Sequence, residues 1–160
     1  LSESRGEMSR KGAALAIREL NAAGGAGGRT LALRAMDDSA RGVTAVRVAE
    51  ALVADPAVVA VVGHVTSGAM MPAAQVYDGE LPAVATAASS PDLSGISPWV
   101  FRTIASDSAV AIAMAEHASR TGVARAAILY ENDSYGRALA RLFRQYYRGK
   151  VVSTDPVAPG

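Results

Sequence analysis

The stretch Val58-Val59-Ala60-Val61-Val62-Gly63-His64-Val65-Thr66-Ser67-Gly68-Ala69 decides how this chain is read. A run of β-branched residues bounded by glycine is the pattern of a strand covered on both faces. The Thr66-Ser67-Gly68 turn then opens a helix with small hydroxyl side chains. The first amides of a helix have no partner inside it, and the helix dipole there favours negative charge. Such a turn can hold a carboxylate or phosphate without a basic side chain. The plainer alternative is that Thr66 or Ser67 only caps the helix.

Outward from this unit, strand-like and helix-like segments alternate. Residues 6–23 carry Ala13, Ile17 and Leu20 at helical spacing, and the glycines at 24, 25, 27 and 28 stop the helix. Residues 30–36 alternate as a strand, closed by Asp37-Asp38-Ser39. Residues 43–53 form a helix with Val46, Ala49 and Val53 on one face, broken by Asp55-Pro56. After the 58–63 strand come a helix over 67–77 and a short strand over 81–86. The loop Ala87-Ala88-Ser89-Ser90-Pro91-Asp92 shows a serine cap with proline at the first helical position. An extended run over 99–103, a helix over 107–120, a strand over 126–130, a helix over 134–147 and a strand opening at 151 complete the pattern. This alternation predicts an α/β fold with parallel sheets and helices on both faces.

Composition narrows the function. The chain has 160 residues, 50% of them hydrophobic and only 5% aromatic, with a formal net charge of +1. The apolar content is mostly Ala, Val, Leu and Ile, which suits close helix-on-sheet packing. Lysine and arginine are scattered without a basic tract, so no nucleic-acid partner is expected. The absence of cysteine excludes thiolate zinc sites, thiol catalysis and disulfides. No apolar run reaches the roughly 18 residues of a membrane span. The chain opens at Leu1 rather than Met, and the reading is of a fragment whose leader lies outside it.

Several chemical readings fail on context. The glycine run closes a helix and precedes a strand, the reverse of a phosphate loop. His64 and His117 lie on different elements, without the spacing of a metal pair. His64, at a strand end, either touches a ligand or is packed and bonded to backbone. Asp37 and Asp38 are read as caps of turns and of the next helix. No Gly-x-Ser-x-Gly elbow is present. No metal site, cofactor or catalytic residue is expected, and the chain is read as a non-enzyme.

Five segments, in order, resemble one family: Leu20-Asn21-Ala22-Ala23-Gly24-Gly25 with Asp37-Asp38 downstream; Val62-Gly63-His64-Val65-Thr66-Ser67; Ala87-Ala88-Ser89-Ser90-Pro91-Asp92-Leu93; Phe101-Arg102-Thr103 with Asp107; and Ile128-Leu129-Tyr130-Glu131-Asn132-Asp133-Ser134-Tyr135-Gly136. Each is weak alone, but together they resemble the Leu/Ile/Val-binding proteins of bacterial ABC importers, within the type I periplasmic binding proteins. The resemblance implies doubly wound parallel sheets in two lobes that close on a small ligand. Residues 1–105 would be lobe one without its first strand, and residues 106–160 the start of lobe two, both incomplete in this fragment.

The resemblance also implies roles. Ser67 matches a hydroxyl that, with its amide, holds the ligand carboxylate. Ala87 matches a backbone carbonyl that accepts from the ligand ammonium. Ser89 matches a hydroxyl and amide that touch both ends of an amino acid, while Tyr135 and Val65 match pocket-wall residues. An acidic ammonium-binding residue would lie outside this segment, and the family's early aromatic pocket residue has no match near Arg5. The implied function is solute binding for an importer, with an amino acid, branched-chain or a related small carboxylate, as ligand. The implied partner is a membrane permease. The complete protein would be a monomeric periplasmic or extracytoplasmic lipoprotein. A sensor ectodomain of the same fold is the first alternative, and a flavodoxin-like or Rossmann enzyme the second.

Overall fold

The computed structural model describes residues 2–158. Leu1, Pro159 and Gly160, which the domain expectation includes, lie outside the described residues. The helices are α1 (Ser2–Ala22), α2 (Gly42–Val53), α3 (Ser67–Tyr77), α4 (Ser108–Arg120) and α5 (Ser134–Tyr146). The strands are β1 (Val61–Val62), β2 (Ala83–Ala85), β3 (Val100–Arg102), β4 (Arg125–Glu131) and β5 (Lys150–Val157). β1, β2 and β3 form one sheet in that order, and β4 and β5 form a second, with every pairing parallel. Parallel neighbours need a crossover connection, and α3 and α5 supply it between β1 and β2 and between β4 and β5.

The core lies between the first sheet and helices α2 and α3. Ala45, Val48, Ala49 and Leu52 of α2 are buried against Ala69, Met70, Ala73 and Tyr77 of α3, over Val61, Ala83 and Ala85. Small residues let the two helices approach closely. Pro72 has no N–H to give the Gly68 carbonyl four residues back. Gly42 leaves that carbonyl room: a Cβ there would stand 3.1 Å from the Gly68 oxygen and 3.2 Å from Pro72 Cγ. Gly136 in α5 serves similarly, since a Cβ would come within 2.1 Å of the Glu131 carbonyl oxygen.

Three expectations need correction. The buried face of α2 is Ala45, Val48, Ala49 and Leu52, not Val46, Ala49 and Val53. Periodicity allows either stripe, and the close approach at Gly42 selects the one aligned with it. Residues 30–36 are in no strand. Alternation is present there, but a strand also needs a neighbouring edge, and no described element pairs with this segment. The 58–63 run shortens to β1, and it is not covered on both faces: Val61 is buried while Val62 is 59% exposed. Phe101, on the same open face through the register Val62–Val84–Phe101, is 54% exposed.

The glycine run behaves as its position predicts. Gly24, Gly25, Gly27 and Gly28 all have positive φ, and Ala26 and Arg29 exchange backbone hydrogen bonds across Gly27-Gly28. This is a tight reversal of the kind that favours glycine at both central positions. Asn21 then ties the helix end to the following segment, donating to and accepting from the Leu31 backbone at 2.8 Å each way.

The core assignment has a direct consequence for stability. Leu52→Ala should cost about 2–5 kcal/mol through lost burial and a residual cavity. Val43→Ala, on the exposed side of the same helix, should change stability by no more than about 0.5 kcal/mol. Urea denaturation of both variants checks the helix phase, and equal costs would contradict it.

Candidate functional site

The parallel register brings the chain leaving β1, β2 and β3 to one edge of the first sheet. The turn after β1 leads into α3. Thr66, extended at φ −101° and ψ 150°, is the cap: its hydroxyl accepts from the Ala69 amide at 3.3 Å. Ser67 is therefore the first helical residue and not the cap. It is buried, and its Oγ accepts from the Ser90 amide at 3.1 Å. That bond ties the β1–α3 turn to the loop after β2.

The loop after β2 carries Ala87, Ser89 and Ser90. Ser90 caps the single 3-10 turn Pro91–Leu93, as the serine–proline pattern predicts. Its carbonyl accepts from Arg102 Nη1 at 2.8 Å. Ser89 Oγ donates to Asp107 Oδ2 at 2.8 Å, and the Asp107 amide donates to the Ser89 carbonyl at 3.0 Å. The Ala87 carbonyl accepts no hydrogen bond from the described residues. Val65 and Ala87 are half-buried.

The second sheet contributes the start of α5. Asp133 caps that helix through the Gly136 amide at 2.7 Å. Its other carboxylate oxygen faces the first turn of α3, 3.3 Å from where a Cβ on Gly68 would sit. Tyr135 OH donates to Asp107 Oδ2 at 2.9 Å. Arg141 Nη2 pairs with Asp92 Oδ1 at 2.5 Å, joining α5 to the 3-10 turn.

Asp107 is the residue the sequence reading underrated. It stands at the cap position of α4 but makes no side-chain cap bond. Ser106 Oγ accepts the Ser108 amide at 3.3 Å instead. The Asp107 carboxylate is thereby free to collect two hydroxyls, one from each sheet's turns, on a single oxygen. Its position before a helix gives the signal of a cap; only the folded arrangement reveals the other use. Tyr135 feels this arrangement. Burial, then the hydrogen bond to Asp107 and the charges of Asp107 and Asp133, push its phenol above the ordinary tyrosine range.

Of the five sequence-derived residues, Ser67, Ser89 and Tyr135 are joined through Ser90 and Asp107, while Val65 and Ala87 flank them along the chain. His64 is packed, but its side chain bonds to Asp38 and Tyr77 rather than to backbone. Asp37 and Asp38 accept the amides of Ser39 and Ala40, closing the turns expected of them, but neither caps α2, whose cap position is Arg41 and carries no side-chain cap bond. A more open depression of about 620 Å³ between Ser119–Ala124 and Arg148–Lys150 lies at the opposite end of the second sheet, away from these groups.

Known proteins share this arrangement of elements. A family model described as "Periplasmic binding protein" matches residues 1–160. An "Amino acid binding protein" of Pseudomonas aeruginosa is 33% identical over 139 residues, covering 84% of this chain and 37% of that protein. A "Leu/Ile/Val-binding protein homolog 3" of Brucella melitensis is 32% identical, covering 97% of this chain and 44% of that protein. An ABC transporter substrate-binding protein from Desulfitobacterium hafniense, solved in complex with Leu, superposes with a TM-score of 0.72. It is 34% identical, covering 96% of this chain and 47% of that one. The chain thus spans less than half the length of these relatives.

The contact between Asp107 and Tyr135 is testable by titration. A raised phenol pKa stabilises the fold below the ordinary tyrosine pKa of about 10, and the gain fades as pH climbs past it. Asp107→Asn removes the negative charge and should bring the Tyr135 pKa back toward the ordinary value. Ring-labelled tyrosine NMR from pH 8 to 12 (about the range needed) measures it. An identical Tyr135 titration in both proteins would rule out the contact.

Proposed function

The chain belongs to the periplasmic binding protein family, and from that premise we propose that it binds an amino acid for an ABC importer. The ligand, branched-chain or a related small carboxylate, sits between the edge of the first sheet and the start of α5. In this reading residues 1–105 belong to one lobe and 106–160 open a second. The partner is a membrane permease, and the protein works outside the cytoplasm, as a monomeric lipoprotein. The chain binds its solute without bond chemistry.

The observation that carries the proposal is the opposite polarity of the two ends of the site. A serine hydroxyl offers one donor and two acceptor lone pairs. Ser67 Oγ already accepts from the Ser90 amide, so its O–H remains to donate. With the positive end of α3 beside it, this end suits a carboxylate. Ser89 and Tyr135 both spend their O–H on Asp107, so their lone pairs remain to accept. With the Asp107 charge and the open Ala87 carbonyl, that end suits an ammonium. Donors at one end and acceptors at the other fit a zwitterion. Val65 and the Tyr135 ring supply apolar wall.

Calorimetry on the complete two-lobed protein with leucine, isoleucine, valine and a desamino analogue of leucine tests the reading. Leucine should bind, and loss of the ammonium should weaken binding by at least about tenfold. Ser67→Ala should weaken leucine binding roughly ten- to hundredfold, equivalent to about 1.5–3 kcal/mol for a hydrogen bond to a charged group. The helix itself keeps its Thr66 cap in that variant. Unchanged affinity in Ser67→Ala, or equal binding of the desamino analogue, would refute the assignment of the two ends.

A further inference from the structure

We propose that Asp38, His64 and Tyr77 form a positioning relay that holds the turn carrying Ser67, and so sets ligand affinity without touching the ligand. This inference rests on the binding reading only in its last step.

His64 sits three residues before Ser67, in the turn between β1 and α3. Its ring is buried beside Tyr77, and its amide lies against Met70, these two being the largest fully buried side chains. A polar ring in such a place costs free energy unless its nitrogens are bonded. Both are: Nδ1 lies 2.5 Å from Asp38 Oδ2, and Nε2 lies 3.0 Å from the Tyr77 hydroxyl. The ring also stacks on Tyr77, with centroids 5.9 Å apart and planes inclined by 24°. The His64 amide donates to Met70 Sδ at 3.3 Å. Side chain, ring face and main chain are therefore all held.

The partners are held in turn. Asp38 Oδ1 accepts the Ala40 amide at 2.8 Å, and the Asp38 carbonyl accepts the Arg41 amide at 3.0 Å. Burial pushes the Asp38 carboxyl up, but the hydrogen bonds from His64 and Ala40 and the charge of His64 outweigh it and hold the group below the ordinary range. Burial, with the Asp38 charge, pushes the Tyr77 phenol up, so it stays protonated. A carboxylate only accepts, so Nδ1–H donates to Asp38 Oδ2, while Nε2 and the Tyr77 hydroxyl share the second bond. Three segments are pinned together: the 37–40 turn, the β1–α3 turn and the last turn of α3.

What the relay fixes is legible in two bonds downstream, Thr66 Oγ1 on the Ala69 amide and Ser67 Oγ on the Ser90 amide. The test uses Tyr77→Phe, which keeps the buried ring, and Asp38→Asn, which keeps an acceptor for Ala40. Amide hydrogen exchange by NMR should rise about tenfold or more at Ala69 and Ser90 while Ala49 and Leu129 stay within about twofold, the pattern of local opening. Leucine affinity should fall about three- to tenfold in Tyr77→Phe, and less than about twofold further when Tyr77→Phe is added to Ser67→Ala, because coupled residues are non-additive. Tyr77→Phe folds more surely than Asp38→Asn and decides alone if the latter does not fold. A uniform rise at all four amides, no rise at Ala69 and Ser90, or full additivity with Ser67→Ala would overturn the relay. If the wild-type protein binds no leucine, the binding reading fails and the exchange pattern alone judges the relay.

Discussion

Val61 pairs with Ala83 and Ala83 with Val100, all in parallel. Every strand of the first sheet therefore delivers the chain to the same edge. Short strands do not weaken this effect, because direction and not length sets where the next turn begins. The turns after β1 and β2 become neighbours although they lie some twenty residues apart in sequence, and the Ser67–Ser90 bond is the contact this makes possible. Open α/β sheets place ligands at this edge for the same reason.

The proposed site is made mostly of hydroxyls and amides, and its polarity comes from how those groups are already engaged. A hydroxyl that has accepted once still has its proton to donate, while one that has donated has only lone pairs left. Among the described residues Ser67 thus keeps an O–H to donate and Ser89 does not, although the side chains are identical. Asp107 produces half of this difference by taking the protons of Ser89 and Tyr135 on one oxygen. The same carboxylate links the first sheet's loops to α5, so the proposed ammonium end and the contact between the two sheets share one group.

Beneath the turn, the packing is of small residues. Ala45, Ala49, Ala69 and Ala73 let α2 and α3 lie close, and the space is filled by two large side chains, Met70 and Tyr77. These two also hold His64. A buried imidazole in an alanine-rich core finds few polar partners, so the bonds to Asp38 and Tyr77 orient it tightly. The apolar packing and the polar relay constrain the same turn from two sides.

The alternation of strand and helix segments, the glycine reversal after α1, the start of α3 at Ser67 and the cap at Ser90 were legible in the sequence, because each follows from local spacing and backbone preference. The family resemblance was legible too, carried by five short motifs in order. The face of α2 was not, since a 3.6-residue period leaves neighbouring stripes nearly equivalent until Gly42 meets the Gly68 carbonyl. Residues 30–36 carried a strand's alternation without a partner edge, and pairing is a property of two segments. Asp107 read only as the start of a helix and part of a motif, and His64 as either ligand-touching or backbone-bonded, yet both direct their side chains to side chains 13 to 28 positions away. Which partner a polar side chain takes is decided by what folding brings within hydrogen-bond distance, and only the tertiary structure sets that distance.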